Sequence, residues 1–162
     1  MLIDLKVVQT GDFVLASGKR SNYFVNIKRA STDPRVLGAI AKAIAPHVNG
    51  RKIAGMALGA VPLAVAVALE TGQPFVIVRK EPKDHGTKDL VEGDVHEGDE
   101  FIVVEDVATT GGSTMRVVEA LRDKGARVSK AIVVVDREEG ASELLSGNGI
   151  ELVSIFKAKD LT

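Results

Sequence analysis

Cysteine and tryptophan are absent from the sequence, and aromatic residues make up only 4% of its 162 residues. Without cysteine the chain cannot build a disulfide scaffold or a zinc site with thiolate ligands. The three histidines have no carboxylates at ligand spacing, which argues against any other zinc site. So few aromatic side chains also argue against a base-stacking platform for single-stranded nucleic acid.

The sequence also lacks an excess of charge of either sign, since 21 Lys and Arg residues face 22 Asp and Glu residues. We therefore expect no nucleic-acid partner and no membrane-surface binding. The longest apolar segment, near residues 60–69, is too short to span a bilayer, and the charged N-terminus does not resemble a secretory signal. These absences predict a cytoplasmic protein, and the length predicts a single domain over residues 1–162.

Helical patterns alternate with short apolar runs from residue 34 onward. Asp33 is a suitable N-cap, and Pro34 then stands at the first position of a helix. The predicted helices are 34–48, 61–70 and 114–124, and the predicted strands are 51–58, 75–78, 101–105 and 130–135, with 151–156 as a candidate last strand. Apolar strands without polar alternation are buried on both faces, so the pattern predicts an α/β fold with a central, mostly parallel sheet flanked by helices.

Residues 1–33 do not follow this alternation and are expected to form a small N-terminal hood beside a core of residues 34–162. Parallel sheets bind ligands at the carboxyl ends of their strands. Four loops should therefore carry the site, namely 59–62, 79–98, 106–113 and 136–140.

The stretch from Phe101 to Thr114 reads FIVVEDVATTGGST and joins a strand, two adjacent carboxylates, a loop of small residues and a helix. Carboxylates accept hydrogen bonds from sugar hydroxyls, and backbone N–H groups at a helix N-terminus bind phosphate. The Gly-Gly pair permits positive φ and close backbone approach. An acid pair or a Gly-Gly alone more often marks only a turn. Their combination between strand and helix favours a site for a phosphorylated sugar, although neither a Walker loop nor a G-x-G-x-x-G is present.

A second polar loop, RKEPKDHG at residues 79–86, places as many as four cationic or donor groups in seven residues. It opens a long polar segment that reaches Gly98, and loops of such length are usually functional or disordered. Taken alone, this loop is as consistent with a solvated charge run as with a mobile flap that neutralises pyrophosphate. The phosphate-type loop predicted at a neighbouring strand end favours the flap.

Four motifs in chain order resemble those of the orotate phosphoribosyltransferases, which are type I phosphoribosyltransferases. EDVATTGGS resembles their signature for phosphoribosyl pyrophosphate (PRPP), and RKEPKDHG resembles their flexible loop. Ser17-Gly18, followed by Ser21, Tyr23, Phe24 and Asn26, is similar to their N-terminal segment. DREEG at residues 136–140 is similar to a turn of the family, and together the motifs span almost the whole chain.

The resemblance implies the type I phosphoribosyltransferase fold and the transfer of ribose 5-phosphate from PRPP to orotate in pyrimidine biosynthesis, with Mg²⁺ as cofactor. It implies that Arg79, Lys80, Lys83 and His85 bind the pyrophosphate of PRPP, the last three as catalytic residues. The ribose and 5-phosphate would be bound by Glu105, Asp106, Val107, Ala108, Thr109, Thr110, Gly111, Gly112 and Ser113. Orotate would be bound by Thr109, Arg137, Tyr23 and Phe24. The resemblance further implies a homodimer that shares loop 79–86 across its interface, and Mg²⁺ held mainly by PRPP rather than by protein ligands.

Two positions depart from the pattern of many bacterial relatives, which carry lysine where this chain has Ala16 and Ala60. Both changes remove a cation near PRPP, so substrate affinity is the property that they affect. The loop at residues 59–62 can still bind pyrophosphate through backbone N–H groups.

Three other functions are weighed against this one. The first is phosphoribosyl transfer to another base such as a purine, which the basic loop and Arg137 disfavour. The second is a regulator that senses PRPP and binds nucleic acid, for which the chain has neither a basic face nor room for an added helix-turn-helix. The third is an inactive interaction module, against which the intact basic loop argues.

Overall fold

The computed structural model describes residues 7–15, 18–86 and 88–161. Its strands are β1 (Val8–Val14), β2 (Arg20–Val25), β3 (Lys52–Met56), β4 (Phe75–Val78), β5 (Val91–Glu92), β6 (Glu100–Ala108), β7 (Arg127–Asp136) and β8 (Glu151–Lys157). Its α-helices are α1 (Ile27–Ala30), α2 (Pro34–Ile44), α3 (Val61–Thr71), α4 (Gly112–Arg122) and α5 (Ala141–Ser146), and short 3₁₀ turns span Ala45–His47 and Ala158–Asp160. None of the helices in these ranges has both the length and the apolar character needed to cross a membrane.

The central sheet has six strands in the order β5-β4-β3-β6-β7-β8. Neighbouring strands from β4 to β8 run parallel, and only the short β5 is antiparallel to its neighbour. The prediction of an α/β fold with a mostly parallel central sheet flanked by helices is confirmed.

The strands are apolar throughout because helices cover both faces of the sheet. In β6, Ile102 and Val104 pack into the core under α2 and α3, while Phe101 and Val103 face the core under α4. All four side chains are fully buried, and each contributes roughly 1.5–3 kcal/mol by leaving water. The centre of the sheet is therefore a rigid support for the polar residues that follow at its carboxyl edge.

The described residues of the predicted hood form an antiparallel hairpin of β1 and β2, followed by α1. Val7, Val25, Ile27 and Ala30 are buried in the same core cluster as the inner faces of α2 and α3. The hairpin is thus fixed to the sheet's core at its base, while its outer strand positions remain exposed.

Several element boundaries differ from those predicted. Helix α2 ends at Ile44 rather than at residue 48, because Pro46 lacks the N–H that the next α-helical turn would use. Strand β6 continues to Ala108, so the acid pair lies inside a strand rather than at its end. Pairing with β7 carries it that far, since Val107 lies beside Val135 and Ala108 beside Asp136. The hairpin, α1, β5 and α5 were not predicted individually.

Candidate active site

A cavity of about 540 Å³ lies between the hairpin and the carboxyl ends of β3, β6 and β7. The hood contributes residues 24–28 to its wall, and the loop after β3 contributes residues 57–59. The predicted site residues that line it are Phe24, Lys80, Glu105, Asp106, Val107, Thr109, Ser113 and Arg137. Residues predicted to bind the two ends of PRPP and to bind orotate therefore face one shared space.

The acid pair is nearly buried, with Glu105 7% and Asp106 8% exposed. The backbone N–H of Asp106 donates to Glu105 Oε1 over 3.1 Å, and that of Val107 donates to Asp106 Oδ1 over 2.9 Å. Burial, reinforced by the neighbouring Asp106, raises the pKa of Glu105 well above its ordinary value. A protonated Glu105 can donate as well as accept a hydrogen bond, which suits a sugar hydroxyl.

The short loop after β3 packs directly against Asp106. A Cβ added at Gly59 would lie 2.5 Å from Asp106 Oδ2 and 3.2 Å from Lys28 Cε, so only glycine permits this close approach. The Ala57–Leu58 peptide bond in the same loop is cis. Ala60 is fully buried and packs against Gly55, near the carboxyl end of β3. The position of Ala16, the other departure noted in the sequence, lies outside the described residues, as does Ser17 of the N-terminal motif.

Lys28 is a site residue that the sequence analysis missed. It lines the cavity from α1, and its Nζ lies 3.4 Å from Asp106 Oδ2. A basic residue two positions after Asn26, the last residue of the N-terminal motif, was the available signal.

The loop of small residues leads into the N-terminus of α4. Gly111 is the N-cap with φ of 87°, and a Cβ there would meet Ala141 Cα at 3.1 Å, so this position requires glycine. No side chain of the described residues caps α4, which leaves its first N–H groups available to an anion. Ser113 and Thr109 border the cavity beside them, while Thr110 and Gly112 are exposed and Ala108 is buried.

Arg137 follows β7 directly, and its side chain is only 4% exposed. Its Nε donates to Glu139 Oε1 over 2.9 Å, and Nη2 donates to Ser21 Oγ over 3.0 Å. The guanidinium carbon lies 4.4 Å from the centre of the Tyr23 ring, a cation–π contact. The core and the hairpin together therefore fix the orientation of this cation at the cavity wall.

The two predicted aromatic residues have different positions. Phe24 lines the cavity, is 38% exposed and packs against Phe13 with 5.7 Å between ring centres. Tyr23 does not line the cavity but stacks on Arg137. Phe24 can contact a planar ligand directly, whereas Tyr23 acts by holding Arg137.

The basic loop is only partly directed at the cavity. Lys80 lines the cavity, and its backbone carbonyl accepts a hydrogen bond from Arg116 on α4. Arg79 Nε and Lys83 Nζ instead lie 2.8 Å and 2.5 Å from the same oxygen of Glu92. These two cations lower the pKa of Glu92, with Lys83 as the larger cause.

His85 is exposed and, like Arg79 and Lys83, does not line the cavity. In this arrangement the structure does not bring the four predicted pyrophosphate-binding residues together. Thr87, the residue that follows this loop, lies outside the described residues.

Within residues 7–15, 18–86 and 88–161, no group of three or more His, Cys, Asp or Glu side chains is placed to hold a metal ion. Among the described residues, the carboxylates that line the cavity are those of Glu105 and Asp106. Such hard oxygen atoms fit Mg²⁺, which keeps several waters and commonly takes its other ligands from substrate phosphates.

Comparisons with known proteins agree with this geometry. A family model described as "Phosphoribosyl transferase domain" matches residues 30–148. The orotate phosphoribosyltransferase of Picrophilus torridus is 50% identical over 160 residues, which cover 99% of this chain and 96% of that protein.

Two solved structures are similar over 99% of this chain and 96% of their own. The orotate phosphoribosyltransferase from Aeropyrum pernix is 38% identical with a TM-score of 0.88. The orotate phosphoribosyltransferase of Mycobacterium tuberculosis H37Rv, in complex with PRPP, is 30% identical with a TM-score of 0.81.

Proposed function

The chain belongs to the phosphoribosyl transferase domain family and, within it, to the orotate phosphoribosyltransferases, and from that premise we propose how its cavity performs the reaction. The reaction joins ribose 5-phosphate from PRPP to orotate and gives orotidine 5′-phosphate and pyrophosphate, a step of pyrimidine biosynthesis. The observation that carries the proposal is that the acid pair, the phosphate-type loop and Arg137 line one cavity.

The donor binds along β6 and the start of α4. Glu105 and Asp106 hold the ribose hydroxyls, and the N–H groups between Ala108 and Ser113 hold the 5-phosphate. The buried position of the acid pair and the uncapped start of α4 support this orientation.

Orotate binds at the other side of the cavity, against Arg137. The Nε of Arg137 is occupied by Glu139, which leaves Nη1 and the second hydrogen of Nη2 to bind the orotate carboxylate end-on. Thr109 stands between the two substrates, and Phe24 supplies an apolar wall for the planar ring. Because Arg137 is held in place before orotate arrives, little side-chain entropy is lost on binding.

In the chemical step the bond between C1 of the ribose and the pyrophosphate oxygen breaks, and a bond from orotate N1 to C1 forms. The N1–H bond of orotate breaks as well, and its proton passes to the departing pyrophosphate. Positive charge develops on the ribose ring while negative charge collects on the leaving pyrophosphate. Lys80, together with Arg79, Lys83 and His85 from the closed loop, stabilises the leaving group and excludes water. Mg²⁺, when bound to the pyrophosphate, supplies further stabilisation of that charge.

Closure of the loop is part of the proposal, because Lys83 must leave Glu92 to reach the pyrophosphate. The Lys83–Glu92 pair is partly exposed, and such surface pairs contribute only about 0–1 kcal/mol. Incoming pyrophosphate can therefore displace it readily, in the manner of other lids that complete an active site.

The proposal includes a homodimer that shares loop 79–86 across its interface: Lys80 lines its own chain's cavity, and Arg79, Lys83 and His85 reach the partner's. Helix α3 is apolar around much of its circumference, and Leu69 on it is 83% exposed. Leu58 and Phe75 add exposed apolar surface at 73% and 39%. An apolar surface of this kind is typical of a helix that packs against a second copy. The cytoplasmic location expected from the sequence stays a prediction.

The test is to incubate the protein with PRPP, Mg²⁺ and a panel of pyrimidine and purine bases while pyrophosphate release is followed. Release with orotate alone is the expected result. Release with a purine would assign another acceptor to the cavity. PRPP binding without turnover on any base would favour a PRPP-sensing regulator.

A further inference from the structure

We propose that Lys28 is a further binding residue for the donor, placed at the junction between the ribose and the pyrophosphate of PRPP. The inference deepens the proposed function and rests on it. Lys28 lines the cavity from the hood side, opposite the sheet that carries the acid pair.

The position of Lys28 follows from two neighbours. Its Nζ is 3.4 Å from Asp106 Oδ2, and its Cε is 3.2 Å from the place where a Cβ of Gly59 would lie. Lys28 therefore lies between the carboxylate of Asp106, proposed to hold the ribose, and the short loop after β3. That loop is where backbone N–H groups are expected to bind pyrophosphate.

The positive charge of Lys28 offsets negative charge at this junction. PRPP brings several negative charges next to Asp106, and like charges at contact distance repel strongly when partly removed from water. Among the described residues, Lys28 is the cation within 4.0 Å of a carboxylate oxygen of the acid pair. It offsets the charge of Asp106 in the free site and donates to pyrophosphate oxygens when the donor is bound.

The backbone of Lys28 is fixed while its side chain remains free to pivot. Ile27 and Ala30 on either side are buried in the core, and Asn26 caps α1 by accepting from the N–H of Arg29 over 3.2 Å. The Lys28 side chain is 65% exposed. Nζ can therefore move between Asp106 and a bound pyrophosphate without any change in the fold.

The test compares wild-type protein with Lys28→Met, Lys28→Arg and a control, Lys42→Met. Lys42 is an exposed lysine in the last turn of α2 and does not line the cavity. PRPP binding in the presence of Mg²⁺ and without orotate is measured by titration calorimetry, and KM for each substrate and kcat are measured separately.

Lys28→Met is expected to weaken PRPP binding about tenfold or more, as loss of one charge-assisted contact does. KM for orotate should change less than twofold, Lys28→Arg should recover most of the affinity, and Lys42→Met should match wild type. Unchanged PRPP binding in Lys28→Met, or equal weakening for both substrates, would overturn the inference. Failure of the wild-type protein to use orotate would instead overturn the proposed function, so the two failures are distinguishable.

Discussion

Replacement of Arg137 by alanine tests the acceptor half of the site most directly. The guanidinium is the cation that the structure holds in place at the cavity wall, through Glu139, Ser21 and Tyr23. Removing it should take away two charge-assisted hydrogen bonds to the orotate carboxylate. Each contributes about 1.5–3 kcal/mol, so the loss is at least about 3 kcal/mol, or roughly 100-fold in kcat/KM for orotate.

The assay measures kcat/KM of the wild-type protein and of Arg137→Ala with orotate and with uracil as acceptors. Uracil is orotate without the carboxylate, so wild-type protein should discriminate strongly between them and Arg137→Ala should discriminate much less. KM for PRPP should stay within about threefold, because the proposed donor contacts, on β6, α4, loop 79–86 and Lys28, do not include Arg137. A matched variant, Arg137→Lys, keeps the charge but lacks the planar fork, and an intermediate loss is expected.

Arg137→Ala should also lower the free energy of unfolding, and this effect must be measured separately. Oε2 of Glu139 is buried without a hydrogen-bond partner among the described residues, and loss of Arg137 would leave Oε1 without its partner as well. Thermal unfolding of each variant separates this cost from the loss of binding. If Arg137→Ala reduces activity with orotate and with uracil by the same factor, or weakens PRPP as much as orotate, Arg137 does not recognise the carboxylate.

Three further predictions concern the donor half and the loop. Lys83→Ala should lower kcat severely with little change in unfolding temperature, since only a partly exposed pair with Glu92 is lost; near-normal turnover would remove Lys83 from catalysis. Glu105→Gln should raise the free energy of unfolding at neutral pH. Because the pKa of Glu105 is raised in the folded protein, the wild type's free energy of unfolding declines as pH rises above about 4.3, the pKa of a glutamate in the unfolded chain. The decline amounts to up to about 1.4 kcal/mol per unit of pKa shift. At lower pH the difference in free energy of unfolding between the two proteins should vanish. Equal pH dependence in urea titrations of both proteins would contradict the burial effect. Mixing Lys83→Ala with Arg137→Ala should restore up to about a quarter of wild-type activity through random assortment of a symmetric dimer; no recovery after confirmed subunit exchange would mean that each chain uses its own loop.

The sheet and the donor loop were predictable because their sequence patterns are local. Continuous apolar runs such as Phe101–Val104 indicate strands covered on both faces, and Gly111 with Gly112 indicates a turn that needs positive φ. The predicted end of β6, at residue 105, was too early because polar residues after an apolar run resemble a turn. In the structure, pairing with β7 keeps Glu105 and Asp106 extended, and such pairing depends on residues far away in the chain.

The contacts that orient the site were less accessible to sequence analysis. The hydrogen bond from Arg137 to Ser21 joins residues 116 positions apart, and the approach of Lys28 to Asp106 depends on how the hood docks. The pairing of Arg79 and Lys83 with Glu92 could not be predicted either, since a run of cations in a loop does not show whether water, a ligand or a carboxylate of the chain interacts with it.

Because Arg137 is attached to the hairpin, the residues proposed to bind the donor and those that orient the acceptor-binding side chain lie in different parts of the fold. In the proposed function, the acid pair and the start of α4 bind the sugar phosphate of the donor and do not select the acceptor base. Ser21 and Tyr23, both on β2, orient Arg137, the side chain proposed to distinguish the acceptor. Because the orientation of Arg137 depends on the hairpin, exchange of the hairpin is expected to change how the acceptor is bound while the proposed donor contacts stay unchanged. Redesign of the acceptor specificity of this chain would therefore have to treat residues 8–25 and Arg137 as one unit, with Val25 retained as the buried anchor.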